Sequence, residues 1–550
     1  MESCLERSGH PCGTVSAVRH RARRPGLDQQ RPGRHPVRAG LFCFQSGPPV
    51  QRLQPGCALV QAPAGWVASR ARLPARGRCP AGANEHHGKF RGHGLRGPLA
   101  RAPRRQQRTG PLFSRRCRAR LAPQERKESA VNSTLRLAVL ADDYTGGADA
   151  ASMLVRAGAR VVQCFGPDVA LSAISGLAPD AIVASLKIRS IEPDLACETL
   201  RRAFRALSPL RPRQWQLKYC STFDSTERGN IGPLCSELLT LAGEPFTIAA
   251  PALPVNGRTQ YRGHLFVHGV LLSESPMRDH PITPMRDSNL VRHLQKQTAR
   301  RVGLIPLETV RRGVTAVRSH IAELQKQGIE IALADAILDD DLLVLARACR
   351  SLRVLTGGSG ITAALPAAWT RWTPGALSAP RNAAGRTLLL AGSCSEATLR
   401  QIRHWQQSGG LLIPVDAQAL LGSPGLEAQR LHAAIAAAFD CGAVPLVASS
   451  SPPGARTPMA AESIEKLFAA IAARAAAGLD VRRIAVAGGE TSGAVIDAIG
   501  LRAAAVASEL SPGVPVLASL DPPGFTLVPK SGNFGPPEFF RLALEIMENG

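Results

Sequence analysis

The chain has 550 residues, with 67 Lys and Arg against 42 Asp and Glu, for a net charge of +25. The charge sits at one end: the first 130 residues carry 26 of the basic residues, 24 of them Arg, and only 6 of the acidic ones. The rest of the chain is nearly balanced, which removes the charge argument for a nucleic-acid-binding domain there. It has no run of about 18 apolar residues to span a membrane, and it is too long for one ordinary domain.

The basic arm comes first in chain order. Pro and Gly recur every few residues through RHRARRPGLDQQRPGRHPVRAG, and no apolar period of 2 or 3.6 is present. Residues 1–130 are therefore expected to be disordered. A nucleic-acid-binding tail would use such scattered Arg, and an RNA-binding protein acting through the arm is the alternative from another class. An organelle transit peptide is disfavoured by the length and Pro content of the arm, and a secretory signal by the missing apolar segment. The favoured reading is that the arm is GC-rich DNA translated upstream of the true start. Val131 is what a GTG start codon becomes inside a longer frame, and Lys127-Glu128 fits AAG-GAG, a ribosome-binding sequence. The coding DNA decides this.

Six of the 13 Cys lie in the arm, and the others form neither a C-x-x-C pair nor a Cys/His zinc spacing. No metal site is expected, and a reduced, cytoplasmic protein is.

From Leu135 onward, apolar strand-like runs alternate with amphipathic helical stretches. LRLAVLAD is followed by GGADAASMLVRAG, then RVVQCF, AIVASL, the helical EPDLACETLRRAFRAL, QWQLKYC, IGPLCSELLTLAG and FTIAAPA. IEIALADA, a helix after Asp339 and LRVLTGG continue the pattern. After the Pro/Gly/Ala-rich WTPGALSAPRNAAGR a second series begins: RTLLLAGS, LLIPVD, AVPLVASS and RRIAVAGG separated by helices, then PVLASL and FTLVPK. Continuous apolar strands spaced by helices predict βαβ units and mostly parallel sheets, so the fold class is α/β with two doubly wound domains. The expected domains are 131–375 and 386–550. The segment 254–300 is the longest interruption, and such insertions are usually functional.

Several constellations carry chemistry. In Ala141-Asp142-Asp143-Tyr144-Thr145-Gly146-Gly147-Ala148-Asp149, a buried strand opens directly into a helix. Ligands of open α/β sheets bind at such strand ends. Adjacent carboxylates repel unless a hydroxyl, metal or cation lies between them. A helix N-cap accounts for one of Asp142 and Asp143 but not for both. The loop Lys218 to Asn230 offers hydroxyls including Ser225, the carboxylate of Asp224, and the cations Lys218 and Arg228. Lys187 and Arg189 add to that rim, which suits a substrate carboxylate. Pro254 to Gly269 reads as a loop over the active site, and His264 with His268 lacks a third ligand for a metal. In the second half, Gly392-Ser393-Cys394-Ser395, Gly488-Gly489-Glu490-Thr491 and Lys530-Ser531-Gly532-Asn533-Phe534-Gly535 are Gly-rich turns suited to phosphates. None is a Walker loop.

With these residues in hand, the chain resembles the four-carbon acid sugar kinase family across essentially all of 135–550. The resemblance rests on ADDYTGGADAA, KYCSTFDSTERGNIGP, PALPVNGRTQYRGHLFVHGVLLSESPMRDHP, TGGSG, AGSCSEAT, AGGETSGAV and PKSGNFG, in that order. The 254–300 stretch is most similar to the 3-oxo-tetronate kinase branch. The resemblance implies a sugar-acid-binding first domain, an ATP-binding second domain and an active-site cleft between them. It implies ATP with Mg²⁺, and phosphorylation of the 4-hydroxyl of 3-oxo-tetronate, with D-threonate or D-erythronate as the alternative acceptor. Carried onto this chain, it puts substrate contacts at Asp142, Asp143, Lys218, Asp224 and Arg228, with Asp142 and Asp143 the catalytic candidates; the loop reading adds Lys187, Arg189 and Ser225 as substrate-binding residues. ATP contacts fall on Ser393, Ser395, Gly488, Gly489, Glu490, Thr491 and Gly532. The expected partners are thus a small sugar acid and ATP, without membrane or nucleic acid, and a homo-oligomer is left open. A Rossmann dehydrogenase is disfavoured by the missing G-x-G-x-x-G order.

Overall fold

The computed structural model describes residues 135–549, apart from positions 170, 175, 281–282, 376, 378–382 and 450–457. The expectations for the arm at 1–130 and for most of the boundary near 375–385 lie outside the described residues. The first five strands are β1 (Leu137–Ala141), β2 (Val161–Phe165), β3 (Ala181–Ser185), β4 (Gln214–Lys218) and β5 (Thr247–Ala250). Every residue in them is buried, as in strands covered by helices on both faces. A small separate sheet follows, β6 (Arg258–Tyr261), β7 (His264–Val267) and β8 (Val270–Leu271), before β9 (Val302–Ile305), β10 (Ile331–Ala334) and β11 (Val354–Gly357) complete the first half. The second half contributes β12 (Arg386–Ala391), β13 (Leu411–Pro414), β14 (Pro445–Ala448), β15 (Val481–Ala487), β16 (Ala503–Ser511), β17 (Val514–Ser519) and β18 (Thr526–Lys530).

The strands of the first half pair in parallel in the order β2-β3-β1-β4-β11-β5-β10-β9, and β13-β14-β12-β15-β18 do the same in the second. The two halves are not separate sheets. β17 and β16 run antiparallel beyond β18, and β16 then pairs antiparallel with β2, Ala503 opposite Cys164 and Ala505 opposite Val162. The result is one sheet of 15 strands. The helix Tyr144–Arg156 seals this seam, since Ala151 and Leu154 share one core with Ile496, Ala504, Val506 and Leu517 of the second half.

Two features of this topology position the site. In a parallel sheet all strands end on the same edge, so β1, β4 and β11 deliver their following loops side by side, as do β12, β15 and β18. The β6–β8 sheet is built by two-residue turns, Arg262-Gly263 and His268-Gly269, all four residues having positive φ (48°, 73°, 50° and 86°). That is the requirement of the tight hairpin turn whose twist matches its strands, with Gly at the second position. The segment predicted as a loop is therefore a three-stranded antiparallel ribbon.

Candidate active site

The first-half site starts where β1 ends. Asp143 leaves the strand in an extended conformation and caps the helix Tyr144–Arg156, its Oδ1 accepting from Gly146 N at 2.7 Å and its Oδ2 from Thr145 Oγ1 at 2.6 Å. Asp142 faces the other way, is 3% exposed, and accepts from Arg189 Nε and Nη2 at 2.8 and 2.9 Å. Arg189 Nη2 also reaches Asp143 Oδ1 at 2.9 Å, and Nη1 lies 4.0 Å from Asp224 Oδ2. One guanidinium thus holds together three carboxylates that would otherwise repel. The gap left among Asp142, Arg189, Asp224 and Asn230 is about 10 Å³, room for at most a water. Asp143 is the more open of the two aspartates, its side chain 21% exposed against 5% for Asp142.

The two carboxyls differ electrostatically. Burial pushes the Asp142 carboxyl up, although Arg189 opposes it; its bidentate geometry is that of the ionised partner of a salt bridge. Burial would also raise Asp143, but Arg189, Lys218 and the bonds from Thr145 and Gly146 outweigh it and hold that carboxyl below its ordinary value. Asp143 is therefore a permanent acceptor near neutral pH. Lys218, 2% exposed at the end of β4, donates to the carbonyl of Tyr219 at 3.1 Å. Its charge acts on Asp142, Asp143 and Asp149. Asp149, within the same helix, accepts from Ser359 Oγ through Oδ2 and leaves Oδ1 buried without a partner.

In the second half, three Gly loops meet at the ends of adjacent strands β12, β15 and β18. A Cβ on Gly392 would lie 2.0 Å from Thr491 Oγ1, and one on Gly532 would lie 2.4 Å from Ser393 Oγ. Gly488 has φ +139°, a conformation side chains rarely adopt, and opens the helix Gly489–Ala498. Ser395 Oγ and Thr398 Oγ1 donate to Gly532 O at 2.5 and 2.9 Å. Gln401 Nε2 lies 3.0 Å from the carbonyls of Phe534, Gly535 and Pro536. Lys530 is buried beneath this loop, its ammonium donating to Thr398 Oγ1, Ser531 O and Gly532 O, each at 3.1 Å.

The structure brings Asp142, Asp143, Arg189, Lys218 and Asp224 together, and likewise Ser393, Ser395, Gly488, Gly489, Thr491 and Gly532; Glu490 is exposed at the start of its helix. The remaining expectations fare differently. Arg189 spends its Nε and Nη2 on Asp142 and Asp143, leaving Nη1 4.0 Å from Asp224. Lys187 pairs with Asp497 Oδ2 at 2.5 Å, across the seam, while Tyr144 Oη donates to Asp497 Oδ1 at 2.8 Å. Ser225 lines the small gap beside Asp142, Arg189 and Asp224, its hydroxyl accepting from Gln297 Nε2 at 3.0 Å. Arg228 is exposed and lines a separate groove with Thr226, Arg286 and Asp287. Sequence reasoning named Asp149 within its motif but gave it no role, and missed Asp497 and Thr398. Asp149 carried a signal, an acidic residue amid the Ala run of a helix that must be buried; Asp497 carried none.

Residues 137–365 match the family model of a sugar-binding N-terminal domain, and residues 388–540 that of a nucleotide-binding C-terminal domain. The 3-oxo-tetronate kinase of Burkholderia multivorans is 44% identical over 422 residues, covering 75% of this chain and 97% of that protein. The 3-oxo-tetronate kinase of Haemophilus influenzae is 39% identical over 416 residues, covering 74% and 98%. Among solved structures, a Haemophilus influenzae protein superposes with a TM-score of 0.62 at 37% identity, covering 74% of this chain and 100% of that one.

Proposed function

The chain belongs to the four-carbon acid sugar kinase family, and from that membership we propose that it transfers the γ-phosphoryl group of ATP to the 4-hydroxyl of 3-oxo-tetronate. The observation that carries this reading is the pairing of two loop clusters on one continuous sheet, a carboxylate–cation cluster after β1 and β4 and a triple Gly-loop cluster after β12, β15 and β18. The first suits a polyhydroxy acid and the second a polyphosphate.

Phosphoryl transfer asks a protein mainly for positioning and charge neutralisation. Asp143 is the group that accepts from the 4-hydroxyl and aims its oxygen. Its lowered carboxyl makes it an orienting acceptor rather than a strong base. Asp142 and Arg189 form its support and set the angle at which Asp143 faces the acceptor. Lys218 offsets the charge gathered there. Ser393, Ser395, Thr491 and the backbone of Gly488, Gly489 and Gly532 cradle the nucleotide. Among the described residues no group of three His, Cys, Asp or Glu is placed to hold a metal. A Mg²⁺ ion arriving with the nucleotide's own phosphates and water would neutralise phosphate charge.

The test is ADP release from MgATP with 3-oxo-tetronate, D-threonate or D-erythronate as acceptor. Turnover at least tenfold more efficient with 3-oxo-tetronate is the expected result. Preference for either of the others would move the substrate assignment, and ADP release with none of them would remove it.

A further inference from the structure

A cavity of about 740 Å³ lies between the β6–β8 ribbon of the first half and the loops of the second, lined among others by Asn256, Arg258 and His268 on one side and Asn533, Phe534 and Gly535 on the other. Resting on the kinase reading above, we propose that this cavity seats the polyphosphate of the nucleotide and that Arg258, supplied by the sugar-binding domain, is the cation that meets it.

The Gly loops of the second half contain one cation, Lys530, and it is not available. Its three ammonium protons are already given to Thr398 Oγ1, Ser531 O and Gly532 O, and burial pulls its pKa down to about 7. A triphosphate brought to these loops therefore needs positive charge from elsewhere. On the sugar side, Lys187 is paired with Asp497 and Arg189 with Asp142 and Asp143. Arg258 differs from these. Its Nη1 donates to the carbonyl of Asn256, its Nε is buried with no partner, and no Asp or Glu lines the cavity it faces. An unneutralised guanidinium beside His268, in a space free of carboxylates, selects an anion.

The cavity borders the nucleotide half-site. Asn533 follows Gly532, whose carbonyl is held by Ser395 and Thr398. On the same wall Phe534 packs on Gly513, and a Cβ on Gly513 would lie 3.2 Å from Asp149 Oδ1, a carboxylate that feels the charge of Lys218. An anion in this space lies against the loop that follows Gly532, beside the Gly cluster proposed to cradle the nucleotide. The ribbon is suited to the task because its tight turns fix where Arg258 and His268 stand: the His268 ring lies so close over Gly257 that a Cβ there would come within 2.5 Å of Nδ1.

The experiment is calorimetric titration of the full chain with AMP, ADP and the non-hydrolysable imido analogue of ATP, each with Mg²⁺. Arg258→Gln should weaken the triphosphate analogue at least about tenfold, the loss of one charge-assisted contact, while AMP binding changes less than twofold; Arg258→Lys should restore part of the loss. Asn533→Asp, on an exposed position and so safe for folding, puts a negative charge into the cavity and should weaken the triphosphate in the same direction, deciding the matter even if Arg258→Gln does not fold. Triphosphate affinity within twofold of wild type in both variants overturns the proposal. So does a loss confined to the KM of the sugar acid, which would make Arg258 a carboxylate clamp. A wild-type chain that binds none of the three nucleotides overturns the kinase reading itself, and the proposal with it.

Discussion

Asp142 and Asp143 are adjacent, yet their surroundings assign them opposite consequences when each is changed to Asn. Asp142→Asn keeps the shape but removes the charge that faces Arg189 and turns one of the contacts at 2.8 and 2.9 Å into a donor facing a donor. Breaking a fully buried pair costs about 3–5 kcal/mol. Arg189 retains Asp143 at 2.9 Å and Asp224 at 4.0 Å, so the expected loss is about 2–4 kcal/mol. At roughly 2–4 °C per kcal/mol for a domain of this size, Tm should fall by roughly 5–15 °C. Asp143→Asn leaves a cap of equal quality on a partly exposed side chain, and its stability should stay within about 1 kcal/mol. On the role proposed for Asp143, its kcat should fall about 10²-fold or more, because Asn lacks the negative charge that accepts from and aims the 4-hydroxyl. The assay is thermal unfolding beside ADP release, both at saturating substrate. An Asp143→Asn enzyme within threefold of wild type, beside an Asp142→Asn enzyme that is stable but inactive, would refute the division of roles.

Gly392→Ala places a Cβ at 2.0 Å from Thr491 Oγ1, so one Gly loop must shift; the expected cost is about 1–3 kcal/mol with weakened nucleotide binding. Adding Thr491→Ala should recover part of both, read by calorimetric titration with ADP. Lys530 has its pKa lowered to about 7 by burial, so between about pH 7 and 10.4 the unfolded chain binds the extra proton and stability rises with pH by up to about 1.4 kcal/mol per unit. Below pH 7 that penalty is fully present. Lys530→Met should therefore flatten the stability profile between pH 7.5 and 9.5 in urea unfolding, and an unchanged slope would contradict the burial of the charge. Asp497→Ala removes both the Lys187 pair and the Tyr144 acceptor, but with side chains 37% and 50% exposed the loss should be only about 1 kcal/mol, seen as a small drop in Tm that added salt reduces further.

Much of the fold is legible in the sequence because buried parallel strands leave a plain mark. LAVLA, VVQCF and AIVAS are apolar or nearly so at every position, and each is a strand covered on both faces. The strand that joins the halves escaped the pattern. β16 is AAAVASELS, its first residues buried and its last ones half-exposed beyond the seam, a run of small side chains that reads equally well as helix. Edge pairing with β2 depends on geometry from residues some 340 positions away and leaves no local sign. The β6–β8 ribbon was readable in principle, since Arg-Gly and His-Gly separate short runs rich in Thr, Tyr, Phe and Val. Its Pro-rich surroundings obscured that. Within the site, the residue types at the strand ends announced carboxylate and Gly-loop chemistry, but the partners of Lys187 and Arg189 are set by tertiary contacts that spacing does not encode.

The most direct test of the proposed reaction is the phosphorus-31 NMR spectrum of the product formed from MgATP and 3-oxo-tetronate. Transfer to the 4-hydroxyl gives one new phosphomonoester signal split into a triplet by the two C4 protons, growing in step with ADP. ADP accompanied only by inorganic phosphate, or an ester split by a single proton, would contradict a 4-kinase.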